Sequence, residues 1–350
     1  MATKRHGAPV TLRDVARAVG VDVSTVSRVL QNKGRVADDT RKRILETAER
    51  LGYQGNPVAR ALKTARSSTI LMVVPQIENP IFASAIIAAE IEARRAGYAL
   101  LVAYDQGGMG SEIIEDISRH SMIEGVIIAS FDEDDPLRQT LASTNRPHVI
   151  INRVLAGDPD CIAMDTRTAA RIGVEHLVRL GHRRIGHLAG RLGRFNGEAR
   201  RQGWADAMAA AGLPPAAELV AEAGYYPDRV PDAVDRLLAA GVTAIHAATL
   251  LTGAAAIARL HVRGVRVPDE VSVVTMHDDL LARVAYPAIT TVELPTEEMG
   301  RAAVRRLVGL VDAARGRRKA EGDPEGTGGG VLLLPPGQLV ERDSTAAPPA

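Results

Sequence analysis

The chain has 350 residues, 46% of them hydrophobic and 24% charged, with a formal net charge of +1 and one cysteine, Cys161. That length points to two or three domains with sizeable cores, and a single thiol excludes a disulfide framework and fits a reducing compartment. The N-terminal MATKRHGAPVTLRDVA lacks the apolar run of a secretory signal, and no charge-free apolar stretch is long enough to span a bilayer, so a soluble cytoplasmic protein with no membrane partner is expected.

The small net charge conceals an asymmetry. Residues 1–66 carry 14 Lys and Arg against 6 Asp and Glu, which leaves the remainder acidic. Such a division predicts an N-terminal module that meets a polyanion and a body that need not.

In chain order, the first 52 residues show three helical patterns and no convincing strand. Val15, Ala16 and Val19 recur at helical spacing in residues 12–19, a short helix covers 24–30, and Ile44, Leu45, Ala48 and Leu51 give residues 39–51 an apolar face. Gly20 ends the first helix. Asn56 can cap a one- to two-turn helix beginning at Pro57, too short to be stable alone and so expected to fold when something packs on it.

From Thr69 the pattern changes. The apolar runs TILMVVPQ, YALLVAY, GVIIAS and PHVIIN alternate with the helical segments PIFASAIIAAEIEARRAG, GSEIIEDISRH and DPLRQTLAS. A second series, CIAMD, RIGHLAG, ELVAEAG, VTAIHAA, VSVVTM and AITTVEL, alternates with helices at about 166–180, 196–211, 228–240 and after VTAIHAA. Near-continuous apolar strands between helices predict parallel sheets covered on both faces. A last helix over about 296–314, a Gly-rich charged loop over 315–330 and the strands of VLLLPPGQLVER complete the chain. The fold expected is a small all-α helix-turn-helix headpiece plus an α/β core of two doubly wound parallel-sheet subdomains.

A helix, a tight turn at Gly20 and a second short helix form the helix-turn-helix arrangement, whose second helix enters the major groove of DNA. In VDVSTVSRVL, Ser24, Ser27 and Arg28 are expected to share an exposed face while Val26, Val29 and Leu30 turn inward. Arg28 is the one long donor there, suited to bidentate contact with guanine, and Thr25 and Ser27 suit phosphates. The plainer alternative is a polar helix in a small bundle.

TLRDVARAVGVDVSTVSRVL followed by TRKRILETAERLGYQGNPVARALKT closely resembles the lactose and galactose repressor family. The resemblance continues through NPIF, VEHLVRLGHRRIGHLAG, RVPDEVSVV, ITTVELPTEEMGRAAV and LVERDST, and so covers almost the whole chain. It implies a DNA-binding headpiece over 1–52, a hinge helix over 53–66, an effector-binding core of periplasmic-binding-protein type over 67–342 and a tail over 343–350, the first subdomain of the core taking about 67–164 and 296–329 and the second about 165–295 and 330–342. Carried over, Val23, Ser24 and Arg28 read bases, and Thr11, Thr25, Ser27, Arg35, Thr40, Tyr53 and Asn56 touch the DNA backbone. Leu62, beside Ala59 on the hinge helix, wedges into a minor-groove step, and Lys63 adds a sequence-independent contact. A homodimer on a palindromic double-stranded operator is implied. Two positions depart from the family. Asp22 stands where serine is frequent and is expected to cap the second helix; Gly55 stands where proline is usual, which loosens the hinge.

In the body, ligand is expected in the cleft between the strand carboxyl ends of the two subdomains. By resemblance Phe82, Arg153, Asp165, Arg194, Arg200, Tyr225, Thr249 and His277 line it, Phe82 and Tyr225 stacking on a ring and the arginines holding oxygens. HAATLLTGAAA carries Thr249-Leu250 where the family has Asn-Asp, and VSVVTMHDD carries His277 in place of the first of two aspartates, Asp278 matching the second. Loss of a carboxylate beside three arginines predicts an anionic small-molecule effector, such as a sugar acid or a phosphorylated sugar.

Catalytic motifs are weak. GRLGRFNG lacks both the G-x-G-x-x-G spacing and a GK[ST] ending, His176, His182 and His187 fit no usual zinc spacing, and G-x-S-x-G is absent. No enzymatic activity, metal or cofactor is expected. Two functions remain: a ligand-responsive transcriptional regulator, most simply a repressor, or a small-molecule binding or transport protein without a DNA role.

Overall fold

The computed structural model describes residues 10–30, 35–53, 67–105, 112, 123–129, 146–316 and 330–349. The chain divides into two compact units, Met1–Ser67 and Ser68–Ala350.

The first unit holds α1 (Leu12–Val19), α2 (Val23–Leu30) and α3 (Asp38–Arg50). Val15, Ala16 and Val19 of α1 meet Val26 and Val29 of α2 and Ile44 and Ala48 of α3 in one aliphatic core. Gly20 turns the chain at φ 77°, and the N–H groups of Gly20 and Val21 both donate to the Ala16 carbonyl, a turn that a side chain would strain. The Arg43 guanidinium closes the same corner by donating to the Val19 carbonyl at 3.0 Å. Leu45 was expected inside and is 46% exposed, because the buried row runs through Ile44 and Ala48 at i, i+4 spacing and leaves its neighbour outside. The hinge positions Gly55, Asn56, Ala59, Leu62 and Lys63 lie outside the described residues.

The second unit contains two six-stranded sheets, each flanked by helices. The first sheet runs β11 (Leu332–Leu334), β5 (Cys161–Met164), β4 (His148–Ile151), β3 (Gly125–Ile128), β1 (Thr69–Val74) and β2 (Ala99–Tyr104), every pairing parallel. The second runs β12 (Leu339–Val340), β10 (Thr290–Val292), β9 (Ser272–Met276), β8 (Ala244–Ala247), β6 (Ile185–Ala189) and β7 (Val220–Glu222), parallel except for β12. On the first sheet α4 (Pro80–Arg95) packs against α10 (Thr296–Ala314). On the second, α5 (Thr166–Arg179) packs against α6 (Phe195–Ala210), while α7 (Val230–Ala239) packs against α8 (Leu250–Val262). A short helix, α9 (Leu280–Val284), follows β9. Strands β1 and β3–β6 are almost wholly buried, as parallel strands with helices on both faces must be. The expected helices in GSEIIEDISRH and DPLRQTLAS fall almost entirely outside the described residues.

Two expectations at the C-terminus are corrected. VLLLPPGQLVER was assigned whole to the second subdomain, but its halves join different sheets: Leu332–Leu334 pairs with β5, and Leu339–Val340 with β10. Pro335 and Pro336, which cannot donate to a ladder, sit at the changeover. Residues 343–350 were set aside as a tail, yet Ser344 is fully buried. Its Oγ donates to the Val273 carbonyl at 2.6 Å, its carbonyl accepts from the Val273 N–H at 2.7 Å, and the Thr290 N–H donates to its Oγ at 2.9 Å. His182 Nε2 reaches the Ala346 carbonyl at 2.9 Å and His176 Nε2 reaches Thr345 Oγ1 at 3.1 Å, so two of the histidines noted for a metal pattern hold this strap instead.

Candidate nucleic-acid interface and ligand cleft

In the headpiece the local sequence builds a capped, outward-facing second helix. Asp22 Oδ1 accepts from the Ser24 N–H at 2.7 Å, the geometry of an N-cap, and hydrogen bonds from Ser24 hold the Asp22 carboxyl below its usual range. The expected cap on the second helix is therefore present. Arg28 folds back along the helix, its Nε donating to the Ser24 carbonyl at 3.3 Å and its Nη2 to Ser24 Oγ at 3.4 Å. Val23, Ser24 and Arg28 are exposed, as are Thr11 and Arg35; Thr25, Thr40 and Tyr53 are half-buried. The Thr11 hydroxyl donates to Asp14 Oδ2 at 2.7 Å, so it closes α1. Ser27 departs from expectation: it is 7% exposed and counts with the interior of the unit, because it lies on the Val26 side of the helix and not on the Ser24–Arg28 row.

In the second unit, a cleft of about 840 Å³ opens at the carboxyl ends of the strands of both sheets. Gln76 follows β1, Asp105 follows β2, Asn152 and Arg153 follow β4, Arg191 and Arg194 follow β6, and Thr249 follows β8. This is where helix dipoles and free strand ends make a binding crevice in doubly wound sheets. The cleft brings together six of the eight expected residues: Phe82, Arg153, Arg194, Arg200, Tyr225 and Thr249.

The other two do not line it. Asp165 caps α5 with both oxygens, taking the Thr168 N–H at 2.9 Å and the Thr168 hydroxyl at 2.7 Å. His277 is 2% exposed, since the chain turns left-handed at φ 79° directly after β9 and folds the imidazole inward. Burial pushes its pKa down, against the pull of Asp279, whose Oδ2 lies 3.5 Å from Nε2. Asp278 turns to Arg342 Nη2 at 2.6 Å and Thr291 Oγ1 at 2.8 Å; burial works to raise its pKa, and these bonds outweigh it. Thr249 reaches the cleft wall, but its Oγ1 is engaged with Thr252 at the start of α8.

Arg200 is the unusual member. It is 2% exposed, its Nε has no hydrogen-bond partner and no carboxylate pairs with it among the described residues; its guanidinium carbon lies 5.7 Å from the centroid of the Tyr225 ring. Burial presses its pKa down. Sequence reasoning missed Asn152, Arg191, Asn196 and Arg229, which line the same cleft. Asn152 ends one run predicted as a strand and Arg191 directly follows another, which was the available signal. Elements of the two sheets are bonded to each other: Asn196 Nδ2 donates to the Asn152 carbonyl at 2.6 Å at the cleft, and Ser84 Oγ donates to Asp279 Oδ2 at 3.2 Å. Among the described residues no helix is long and apolar enough to cross a membrane, and no group of three or more His, Cys, Asp and Glu could hold a metal.

Comparison with known proteins agrees with this geometry. Residues 11–56 match the family of bacterial regulatory proteins, lacI family, and residues 174–345 match the periplasmic binding protein-like domain. The HTH-type transcriptional regulator CelR of Thermobifida fusca is 33% identical over 85% of this chain and 91% of that protein; GalR of Escherichia coli is 33% identical over 86% and 89%. Among solved structures, a lac repressor dimer bound to operator and the anti-inducer ONPF superposes with a TM-score of 0.81 at 27% identity, covering 97% of this chain and all of that one. A CelR–cellobiose complex does so with a TM-score of 0.71 at 30% identity, covering 96% and 99%. With a helix-turn-helix unit and a paired-sheet core matched over nearly its full length, the chain belongs to the LacI family of bacterial transcriptional regulators.

Proposed function

We propose that the chain is a repressor that binds a palindromic operator as a homodimer and is controlled by a small-molecule effector, sugar-like or sugar-acid-like, held in the cleft. The observation that carries the DNA half is the solvent-facing row Ser24–Arg28 on a helix whose N-terminus is already capped by Asp22. The domain reading that goes with it is a headpiece over 1–52, a hinge over 53–66 and a core from 67 onward. Val23, Ser24 and Arg28 read bases; Thr11, Thr25, Arg35, Thr40, Tyr53 and Asn56 position the backbone, with Ala59, Leu62 and Lys63 acting from the hinge.

A dimer suits the exposed apolar side chains. Leu280 and Val284, one turn apart on α9, are 66% and 67% exposed and Tyr286 is 89% exposed, while Ile87 and Ile91 repeat the pattern on α4. One headpiece makes few base contacts, and two-fold pairing on a palindrome doubles them. The effector shifts whichever conformation it binds better, so induction and corepression are both open to this fold.

The test compares Arg28→Ala with Lys63→Ala by fluorescence anisotropy across a salt series, on operators selected by the full chain from random DNA. Arg28→Ala relaxes sequence preference by about 1–3 kcal/mol, whereas Lys63→Ala weakens all sequences alike. Equal loss of preference in both variants contradicts Arg28 as the base reader. The rival reading, a binding or transport protein, requires that deleting residues 1–66 leave every function intact.

A further inference from the structure

The loop GRLGRFNG has the wrong spacing for a phosphate-binding motif, yet it leads into α6 on the wall of the cleft. Two glycines let it sit there. A Cβ on Gly197 would lie 1.9 Å from the Arg191 carbonyl oxygen, and one on Gly190 would lie 2.4 Å from a Tyr225 ring carbon. α6 then starts with no side-chain cap from its N-cap residue Arg194. Its first amides therefore keep their partial positive charge beside the cleft. Glu198, the acid of this turn, is engaged elsewhere, accepting from the Gly193 N–H and from Arg201 Nε at 2.9 Å each.

A helix start alone makes no site; the buried polar atoms around it do. Arg200, one turn beyond Asn196 on α6, presents a buried donor without an acceptor. Asn152 Oδ1 and Asn196 Oδ1 are buried acceptors without donors. Asn196 is fixed in this sense, because its Nδ2 already donates to the Asn152 carbonyl. Unsatisfied groups of both kinds around one cleft are costly to bury and call for a ligand that carries both complements. Arginines 153, 191, 194, 200 and 229 line the cleft against Asp105, Glu222 and Asp228.

Resting on the effector reading above, we infer that the cleft binds a polyhydroxylated acid, its carboxylate or phosphate paired with Arg200 at the start of α6 and its hydroxyls donating to Asn152 and Asn196. The anion supplies acceptors that a neutral sugar cannot match in strength, and the carboxamides reject a simple anion that has no hydroxyls.

Isothermal titration of the full chain with gluconate, glucuronate, glucose 6-phosphate, glucose, acetate and inorganic phosphate tests this. At least one hydroxylated acid binds about 100-fold more tightly than glucose and than either simple anion, and the sugar phosphate against the two sugar acids tells phosphate from carboxylate. Arg200→Gln removes about 100-fold of that affinity. Asn152→Gly, which keeps the φ of 63° accessible, removes about tenfold. Without ligand, Arg200→Gln melts at the same temperature as the parent or higher, since a buried unpaired charge is gone; a lower melting temperature overturns the inference by making Arg200 a structural residue. Glucose binding as tightly as the acids, and lost in Phe82→Ala, overturns the anion pole while the effector cleft stands. Acids whose binding ignores both Arg200→Gln and Phe82→Ala overturn the cleft as effector site as well. No binding by any acid overturns the inference, and the Arg28 comparison then judges the regulator reading separately.

Discussion

The outer face of α2 and the inner wall of the cleft solve opposite problems. On α2 the polar side chains stand in water and satisfy one another, Asp22 with Ser24 and Ser24 with Arg28, so holding them in readiness costs little. In the cleft, Arg200, Asn152 and Asn196 keep polar atoms buried and unpaired. A site that meets a large polyanion on an open face can be stable and ready at once. An enclosed site that must recognise a small molecule carries its cost until the molecule arrives.

The largest effect separates the two units by their cores. Trp204 is 1% exposed, donates from Nε1 to the Ile185 carbonyl at 3.0 Å, and stacks beside His187. Trp204→Ala should cost about 3–5 kcal/mol of core stability, seen by calorimetry as a lowered core transition with the headpiece transition unmoved. An equal shift of both would mean the units do not unfold independently.

Acid comes next, and it divides the second unit by sheet. His187 on β6 and His246 on β8 are fully buried with Nδ1 atoms 3.0 Å apart. Burial drives the His187 pKa down to about 3 and that of His246 well below the ordinary value. Both folded values lie below that of the unfolded imidazole, so their stabilisation is complete above about pH 6.5 and is lost as pH falls below it. For His187 alone the loss is about 2 kcal/mol by pH 5. His148 on β4 has the opposite sign, because its hydrogen bond to Asp158 at 2.8 Å raises its pKa. Its contribution is present below about pH 6.5 and fades as pH rises through the folded value. Urea midpoints between pH 7 and 5 should therefore fall, and His148→Asn should leave that fall in place; a flat profile contradicts the buried pair.

The smallest effect belongs to the headpiece. Asp22→Ala removes the cap on α2 and should cost about 1 kcal/mol of headpiece stability by thermal denaturation, with a matching loss of operator affinity. A loss of operator affinity with no loss of stability would instead make Asp22 a DNA contact.

The headpiece was legible because its signals are local. Apolar spacing and Gly20 placed α1 to within its observed ends; the side of α2 taken by Ser27 and the exposure of Leu45 on α3 were misjudged. The two-sheet core was legible for the same reason, each strand being a short apolar run. What failed turned on a single backbone turn, a local cap or a distant partner. His277 and Asp165 follow strand ends as cleft residues should, but a left-handed turn and a helix cap withdraw them. Asn152 and Asn196 become a pair only when β4 of one sheet and α6 on the other approach, which no local pattern records. The strap through Ser344 was missed because STAAPP has neither period; its buried hydroxyl bonds are long-range.

The most direct test of the account joins its two regions. Operator affinity of the full chain is measured by anisotropy with and without a saturating hydroxylated acid that titration shows to bind. A change of at least about tenfold in the operator Kd, in either direction, is expected, and it disappears in Arg200→Gln. An operator Kd unchanged by the bound acid, or changed equally in Arg200→Gln, would contradict control of the headpiece from the cleft.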